Sequence, residues 1–275
     1  MPDRARDPRS QLPPCFPESW AHAWGQDGSG LWMAFNVDDV VQRLRWLPPG
    51  EFLMGSPKDE AERRKDEVPH QVILSQGLWL ADTACSQALW TAVLGEKPSY
   101  FKGSERPVEQ VSWEDVTGRF LPALNERIPG LDARLPTEAE WEYACRAGTR
   151  SPFSFGGNIT TEQVNYDGNH PYGDGPKVES RKQSLDVKAL PANAWGLYQM
   201  HGNVDEWCAD WLGDYPSGRA VDPVGPPTGA GRVLRGGGWL ASAWWCRSAL
   251  RRARGPGYRS LGIGFRLARG PSRGK

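Results

Sequence analysis

Few groups in this chain have the type and spacing to do chemistry. The five cysteines, Cys15, Cys85, Cys145, Cys208 and Cys246, are odd in number, far apart and without a Cys-x-x-Cys pair. That spacing disfavours a disulfide framework or a zinc site and points to small buried hydrophobes. Gly236-Gly237-Gly238 has the glycine density of a phosphate loop but lacks the Lys and Ser/Thr that would follow, so no nucleotide cradle is expected. The stretch from Leu234 to Ala268 is richer. It opens on glycines, closes on the strand-like Ile263-Gly264-Phe265-Arg266-Leu267, and holds aromatics, small residues and arginines with no acid between. Aromatic and arginine side chains dominate interface energetics, so this stretch reads first as a surface for gripping something.

The rest of the chain must position that stretch. At 275 residues it is long enough for one large domain or two small ones. Its 32 glycines and 24 prolines point to many turns and little regular structure, and 14 Trp and 7 Tyr supply amphipathic filling for irregular loops. No stretch approaches the ~20 apolar residues of a membrane span. The start, MPDRARDPRSQLPPCF, lacks the apolar run of a secretory signal, so the cytoplasm is the expected compartment.

Net charge is zero, yet no acid follows Asp222, while ten arginines and Lys275 do. A basic end therefore closes on an acidic body. Arginines in strand-like frames are expected to pair internally, and Arg251 to Arg254 to form an electropositive face for acidic ligands or nucleic acid.

Residues 1–42 read as an extension whose apolar-aromatic patch, Trp20 to Val41, docks on the body. Leu44, Trp46 and Leu47 lead through Pro48-Pro49-Gly50 into Phe52, Leu53 and Met54, an expected hairpin. The charged run Lys58 to Glu67 reads as a solvated loop. His70 to Leu80 offers more strand, and Ser86 to Leu94 a short helix ended by Gly95. Ser112 caps a helix whose stripe is Trp113, Val116, Phe120, Leu121 and Leu124. Thr137, with Glu140 three residues on, forms a capping box for a third helix that buries Trp141, Ala144 and Cys145. Residues 149–231 carry long ordered loops.

Four stretches together resemble the formylglycine-generating enzyme (sulfatase-modifying factor) domain family: RLPTEAEWEYACRAG at 134–148, WGLYQMHGNVDEWCADW at 195–211, RVLRGGGW at 232–239 and GFR at 264–266. The resemblance covers about residues 44–269. It implies an α+β, C-type-lectin-like fold with low regular secondary structure over residues 43–270, leaving 271–275 as a tail. It also implies that Glu138, Glu140 and Glu142 are structural. A calcium loop is implied at Gln199, Gly202, Val204 and Glu206, with a weaker second site at Asn165 and Tyr166; the alternative for Glu206 is an ion pair with a C-terminal arginine. Asp205 stands where the family usually carries an aromatic.

Family enzymes oxidise a sulfatase-type cysteine with two thiolates on Cu(I), a soft ion that suits soft ligands. Here the second thiolate matches Cys246, but the first falls on Ala241 and the family's serine on Gly238, so copper is not expected. The paired-histidine iron chemistry of related sulfoxide synthases is not expected either, with His22, His70, His170 and His201 scattered.

The closing stretch is similar to variable proteins of diversity-generating retroelements, which diversify such a segment between constant anchors. That resemblance implies ligand-binding positions within 239–263. Leu240, Ala241, Ser242, Leu250, Arg252, Ala253, Arg254, Tyr258, Ser260, Leu261 and Gly262 are all reachable by adenine mutation of an asparagine codon. Trp244 and Trp245 are not, and serve either as frame or as further contacts. The reading is a non-catalytic protein that binds a protein or other macromolecule. The alternatives are a copper-dependent formylglycine-generating oxidase using Cys246, and a nucleic-acid binder acting through its basic face.

Overall fold

The computed structural model describes residues 12–270. The expectations for residues 1–11 and for the tail 271–275 lie outside them.

Three small sheets and four short helices make an α+β fold, as expected. β1 (Ala23–Asp27), β2 (Gly30–Val37) and β3 (Val40–Leu47) form an antiparallel meander. Asp38 and Asp39 make its second turn, with Asp38 in the left-handed region at φ 52°, which Asp tolerates. β3 then pairs with β6 (Leu78–Ala81), and β6 with β12 (Ala268–Arg269), in the order β1-β2-β3-β6-β12. The boundary expected at residues 42/43 falls inside β3. Residues from Ala23 onward are members of the largest sheet, with Met33 and Phe35 in the core, rather than an extension docked on it.

The hairpin expected over residues 43–54 does not form. β4 (Gly50–Met54) leaves the first sheet and pairs with β5 (His70–Leu74), which β8 (Ala220–Val221) joins in parallel. Pro48 and Pro49 have no N–H to extend a ladder, so the chain turns into a second sheet between them. The third sheet carries β7 (Asp205–Trp211), β9 (Arg232–Arg235), β10 (Arg252–Arg254) and β11 (Ile263–Gly264) in the order β10-β9-β7-β11, with β11 parallel to β7.

The helices follow their caps. Ser86 Oγ accepts from Leu89 N to start α1 (Gln87–Leu94), and Gly95 at φ 75° ends it. Ser112 and Asp115 form a capping box at α2 (Trp113–Asp115), followed by a π turn at Val116–Phe120 and then α3 (Leu121–Arg127). Pro122, in the first turn of α3, offers no N–H for the preceding turn to continue as an ordinary α-helix. Thr137 and Glu140 form the expected box at α4 (Glu138–Arg146). One face of the first sheet packs Phe35, Leu44 and Trp79 against Trp90, Phe120 and Phe265; the other packs Leu47, Leu78 and Leu80 against Trp141 and Ala144.

α4 is buried all round, its glutamates included, which needs compensating charge. Glu138 receives Arg251 in a bidentate pair at 2.8 and 2.6 Å; Glu140 receives Arg134 at 2.7 and 2.8 Å; Glu142 receives Arg146 and Arg235. The structural reading of these three residues therefore holds. The run Lys58 to Glu67 is the expected loop and is exposed at most positions, but two of its carboxylates are not solvated. Glu60 and Glu67 turn inward onto the buried Arg247 guanidinium at 2.5 and 2.7 Å, and Glu62 O accepts from the same group at 2.8 Å.

Two predictions follow from these buried charges. Arg247→Leu strands two buried carboxylates and is expected to cost about 3–5 kcal/mol in denaturant unfolding; a loss below about 1 kcal/mol would show the pair to be solvated. The second concerns Asp210, which accepts from the Glu138 N–H at 2.9 Å. Burial, reinforced by the Glu138 charge, pushes its carboxyl from 3.8 up to about 8. A raised folded pKa binds the extra proton in the native state, so this contribution to stability is complete below pH 4 and is lost as pH rises through about 8. Melting temperature is therefore expected to fall more steeply between pH 5 and 8.5 in the wild type than in Asp210→Asn; parallel curves would contradict it.

Candidate functional site

The site is built from the loop joining β9 to β10 and the loop joining β10 to β11. Arg235, at the end of β9, is fully buried and reaches the far end of the first loop, donating to the carbonyls of Ser248, Ala249 and Leu250 at 2.9, 2.9 and 2.6 Å. One guanidinium thereby closes the loop across its base. Gly237 has φ 68°, and a Cβ there would meet Cys246 Sγ at 2.8 Å and Trp245 O at 2.9 Å, so the close approach of the two loop arms requires glycine.

Further contacts hold the loop along its length. Trp239 donates from Nε1 to Leu261 O at 3.1 Å and from its backbone N to Asn203 O at 3.1 Å, tying the two loops together. Ala241 O accepts from Asp167 N at 2.8 Å, and Ala243 N donates to His170 O at 2.9 Å. A 3₁₀ turn spans Ala243–Cys246. Cys246 O accepts from His201 Nδ1 at 2.7 Å, while His201 Nε2 accepts from Ser154 N at 3.0 Å, which assigns the ring proton to Nδ1. Burial lowers the His201 pKa to about 4, so the ring is a neutral brace. Beyond, Arg259 grips Asp115 through two 2.7 Å bonds, and Ile263 lies opposite Asp205 in the β11–β7 ladder.

Between these anchored arms lies a depression of about 350 Å³, within the range of ligand sites. Of the positions expected to contact a ligand, Leu240, Ala241, Ser242, Trp245, Arg252, Arg254, Tyr258, Ser260 and Gly262 line it. Leu240 is 58% exposed and Tyr258 46%, so both present apolar surface at the depression. Four expected positions do not line it. Leu250 is 2% exposed and packs in the core, which corrects its assignment as a contact. Ala253 faces Val233 across the β10–β9 ladder, Trp244 packs beside Phe153 and Tyr172 with its ring 4.3 Å from Trp245, and Leu261 lies half-buried, its carbonyl taken by Trp239.

Three lining residues went unforeseen as such: Gly238, Ile263 and Asp205. Asp205 departs from the family's usual aromatic, and that departure is the sequence signal that marks it. Its carboxylate takes Arg252 Nη2 at 2.6 Å and Gly237 N at 3.2 Å, and burial pushes its pKa up to about 6 against the pull of Arg252. Arg252 also lies 4.9 Å over the Trp245 ring.

The basic stripe expected at Arg251 to Arg254 breaks up. Arg251 is buried on Glu138 and Arg252 is paired to Asp205, because each guanidinium entering the domain needs a counter-charge. Arg254 is exposed, donates to Ala253 O at 3.2 Å, and sits 5.5 Å from the Tyr258 ring; among the described residues it forms no ion pair, and Asp205 feels its charge only through space. A larger depression, about 630 Å³, lies among Gln42, Asp82, Thr83 and Lys188, but there Lys188 is already paired with Asp82 at 2.9 Å.

The first calcium set meets residues that are already engaged, whereas one oxygen of the second is not. Glu206, the anionic member of the calcium set, receives Arg266 at 2.6 and 2.8 Å and the Trp141 indole N–H at 2.7 Å, so the alternative ion pair is the arrangement present. Gln199 Oε1 accepts from Asn203, Gly202 O accepts from Val204 N at 2.9 Å, and Val204 is buried in an apolar cluster. Asn165 donates from Nδ2 to Asn203 Oδ1 and Gln183 O, both at 3.0 Å, while its buried Oδ1 meets no hydrogen-bond partner among the described residues; Tyr166 is core. With Glu206 neutralised by Arg266, the first donor set does not fit a calcium cage, and no step is derived through the ion. Nor do Ala241 and Cys246 fit a two-thiolate copper site. Ala241 presents a methyl group, and Cys246 is buried with its thiol pKa pushed up by desolvation.

Comparison with known proteins places this architecture. Residues 34–271 match the sulfatase-modifying factor enzyme 1-like domain. The formylglycine-generating enzyme of Streptomyces coelicolor is 37% identical over 190 residues, 66% of this chain and 58% of that protein; the Bos taurus enzyme is 30% identical over 216 residues, 76% of this chain and 54% of that protein. The chain thus spans little more than half the length of these curated relatives. Among solved structures, Treponema denticola variable protein 1 superposes with a TM-score of 0.75 at 29% identity, covering 87% of this chain and 99% of that one. PvdO from Pseudomonas aeruginosa superposes with a TM-score of 0.73 at 27% identity, covering 89% and 99%. These neighbours bear out the expected C-type-lectin-like, formylglycine-generating-enzyme fold. The chain belongs to the sulfatase-modifying factor enzyme 1-like family.

Proposed function

We propose that this chain is a non-catalytic binding protein whose 240–262 segment displays a changeable recognition face, as the name of its variable-protein neighbour implies for that molecule. One observation carries the reading: the two loops are anchored at their ends and undersides by buried groups, while Leu240, Arg254 and Tyr258 project outward with little contact to the body. A rigid scaffold with free side chains is a binding design. Ala241 in place of the first copper thiolate removes the oxidase's soft-ligand pair. All five cysteines are free, with Cys15 exposed.

The test separates display from structure. The triple variant Leu240→Ser, Arg254→Ser, Tyr258→Ser is expected to unfold within about 1 kcal/mol of the wild type, since exposed substitutions each shift stability by roughly ±0.5 kcal/mol. Gly237→Val, by contrast, is expected to prevent cooperative folding. A triple variant that loses several kcal/mol would show these side chains to be core. In parallel, a Cys-x-Pro-x-Arg peptide incubated with the Cu(I)-treated protein should show no aldehyde by mass spectrometry. Aldehyde formed in a Cys246-dependent reaction would replace this reading with the oxidase.

A further inference from the structure

We infer that the depression recognises an acidic side chain of a protein partner, with Arg254 as the group that seeks it and Asp205 as the residue that reserves Arg254 for this role. The inference rests on the binding reading above and names its ligand chemistry.

Three charged groups line the depression: Asp205, Arg252 and Arg254. Asp205 cancels Arg252 through the 2.6 Å pair, and the Gly237 N–H and the Trp245 ring hold that pair in place. The residual charge is one positive, on an exposed guanidinium steadied by Tyr258. A planar guanidinium presents a fork of donors that matches a carboxylate in bidentate geometry. Low-dielectric walls strengthen the attraction, and here they are Leu240, Ala241 and Ile263.

A protein carboxylate fits better than a nucleic-acid backbone. Phosphate tracking needs a row of cations, whereas Arg235, Arg247, Arg251, Arg259 and Arg266 are all committed to carboxylates of this chain. One free guanidinium beside the exposed aliphatic Leu240 and aromatic Tyr258 instead suits an Asp or Glu with an apolar neighbour.

The probe is a phage-displayed random peptide library panned on the full chain, with selected peptides then synthesised and titrated. Peptides that depend on Leu240 and Tyr258 are expected to be enriched in Asp or Glu and to weaken in rising NaCl. They should lose about tenfold or more in affinity toward Arg254→Ala, the worth of one charge-assisted contact. Asp205→Asn keeps the acceptor for Gly237 and frees Arg252, and should bind them several-fold more tightly; unchanged or weaker binding there overturns the role given to Asp205. Face-dependent peptides without acidic enrichment and indifferent to Arg254→Ala overturn the acidic-ligand inference and leave the binding face standing. Selection yielding no peptide sensitive to Leu240, Arg254 or Tyr258 overturns both, as does salt-sensitive duplex DNA binding lost in Arg254→Ala while peptides fail.

Discussion

The pairing of C-terminal arginines with carboxylates from the rest of the chain is the constraint on which this structure depends. Arg235, Arg247, Arg251 and Arg266 are buried, and each is met by glutamate: Glu142, then Glu60 with Glu67, then Glu138, then Glu206. Buried pairs of this kind add little net stability over apolar residues, but a mismatched one is severely penalised. Their effect is therefore on uniqueness. A loop ending in Arg247 and Arg251 has one arrangement in which both guanidiniums are satisfied, and the residues between these posts inherit that arrangement. Low regular secondary structure is tolerable here because charge pairing and backbone carbonyls accept the work that ladders perform elsewhere.

That division explains why the rim can be sparse in contacts. Arg235 binds three loop carbonyls from below, and Trp239 ties one loop to the other through its indole N–H. None of these bonds involves the side chains of Leu240, Arg254 or Tyr258. The energetics of folding and the chemistry of the rim are thus carried by different atoms, often of adjacent residues: Arg251 inward, Arg252 at the floor, Arg254 outward.

What could be read in the amino-acid sequence was local. Ser86, Ser112 and Thr137 marked three helix starts because capping is settled within four residues, and the glycine run marked the loop entry. The charge asymmetry about Asp222 was also legible, along with its consequence that many arginines pair internally. The partners were not, since Glu60 and Arg247 are 187 residues apart and nothing in the charged run distinguishes it from a wet loop. The β3–β4 hairpin was misjudged because strand-like residues on both sides of Pro48-Pro49 look the same whether they share a sheet or enter two. Leu250 passed as a contact because codon reachability says nothing about burial. Asp205 was visible as an oddity, but its place in the floor of the depression depends on the parallel pairing of β7 with β11, a long-range fact.

That same parallel ladder, together with β12 lying against β6, bears on synthesis at the ribosome. The two latest strands complete the third and the first sheets, so an emerging chain keeps both edges open, and Glu206 without Arg266, until its last strands are made. Such dominance of distant contacts makes for slow, all-at-once closure.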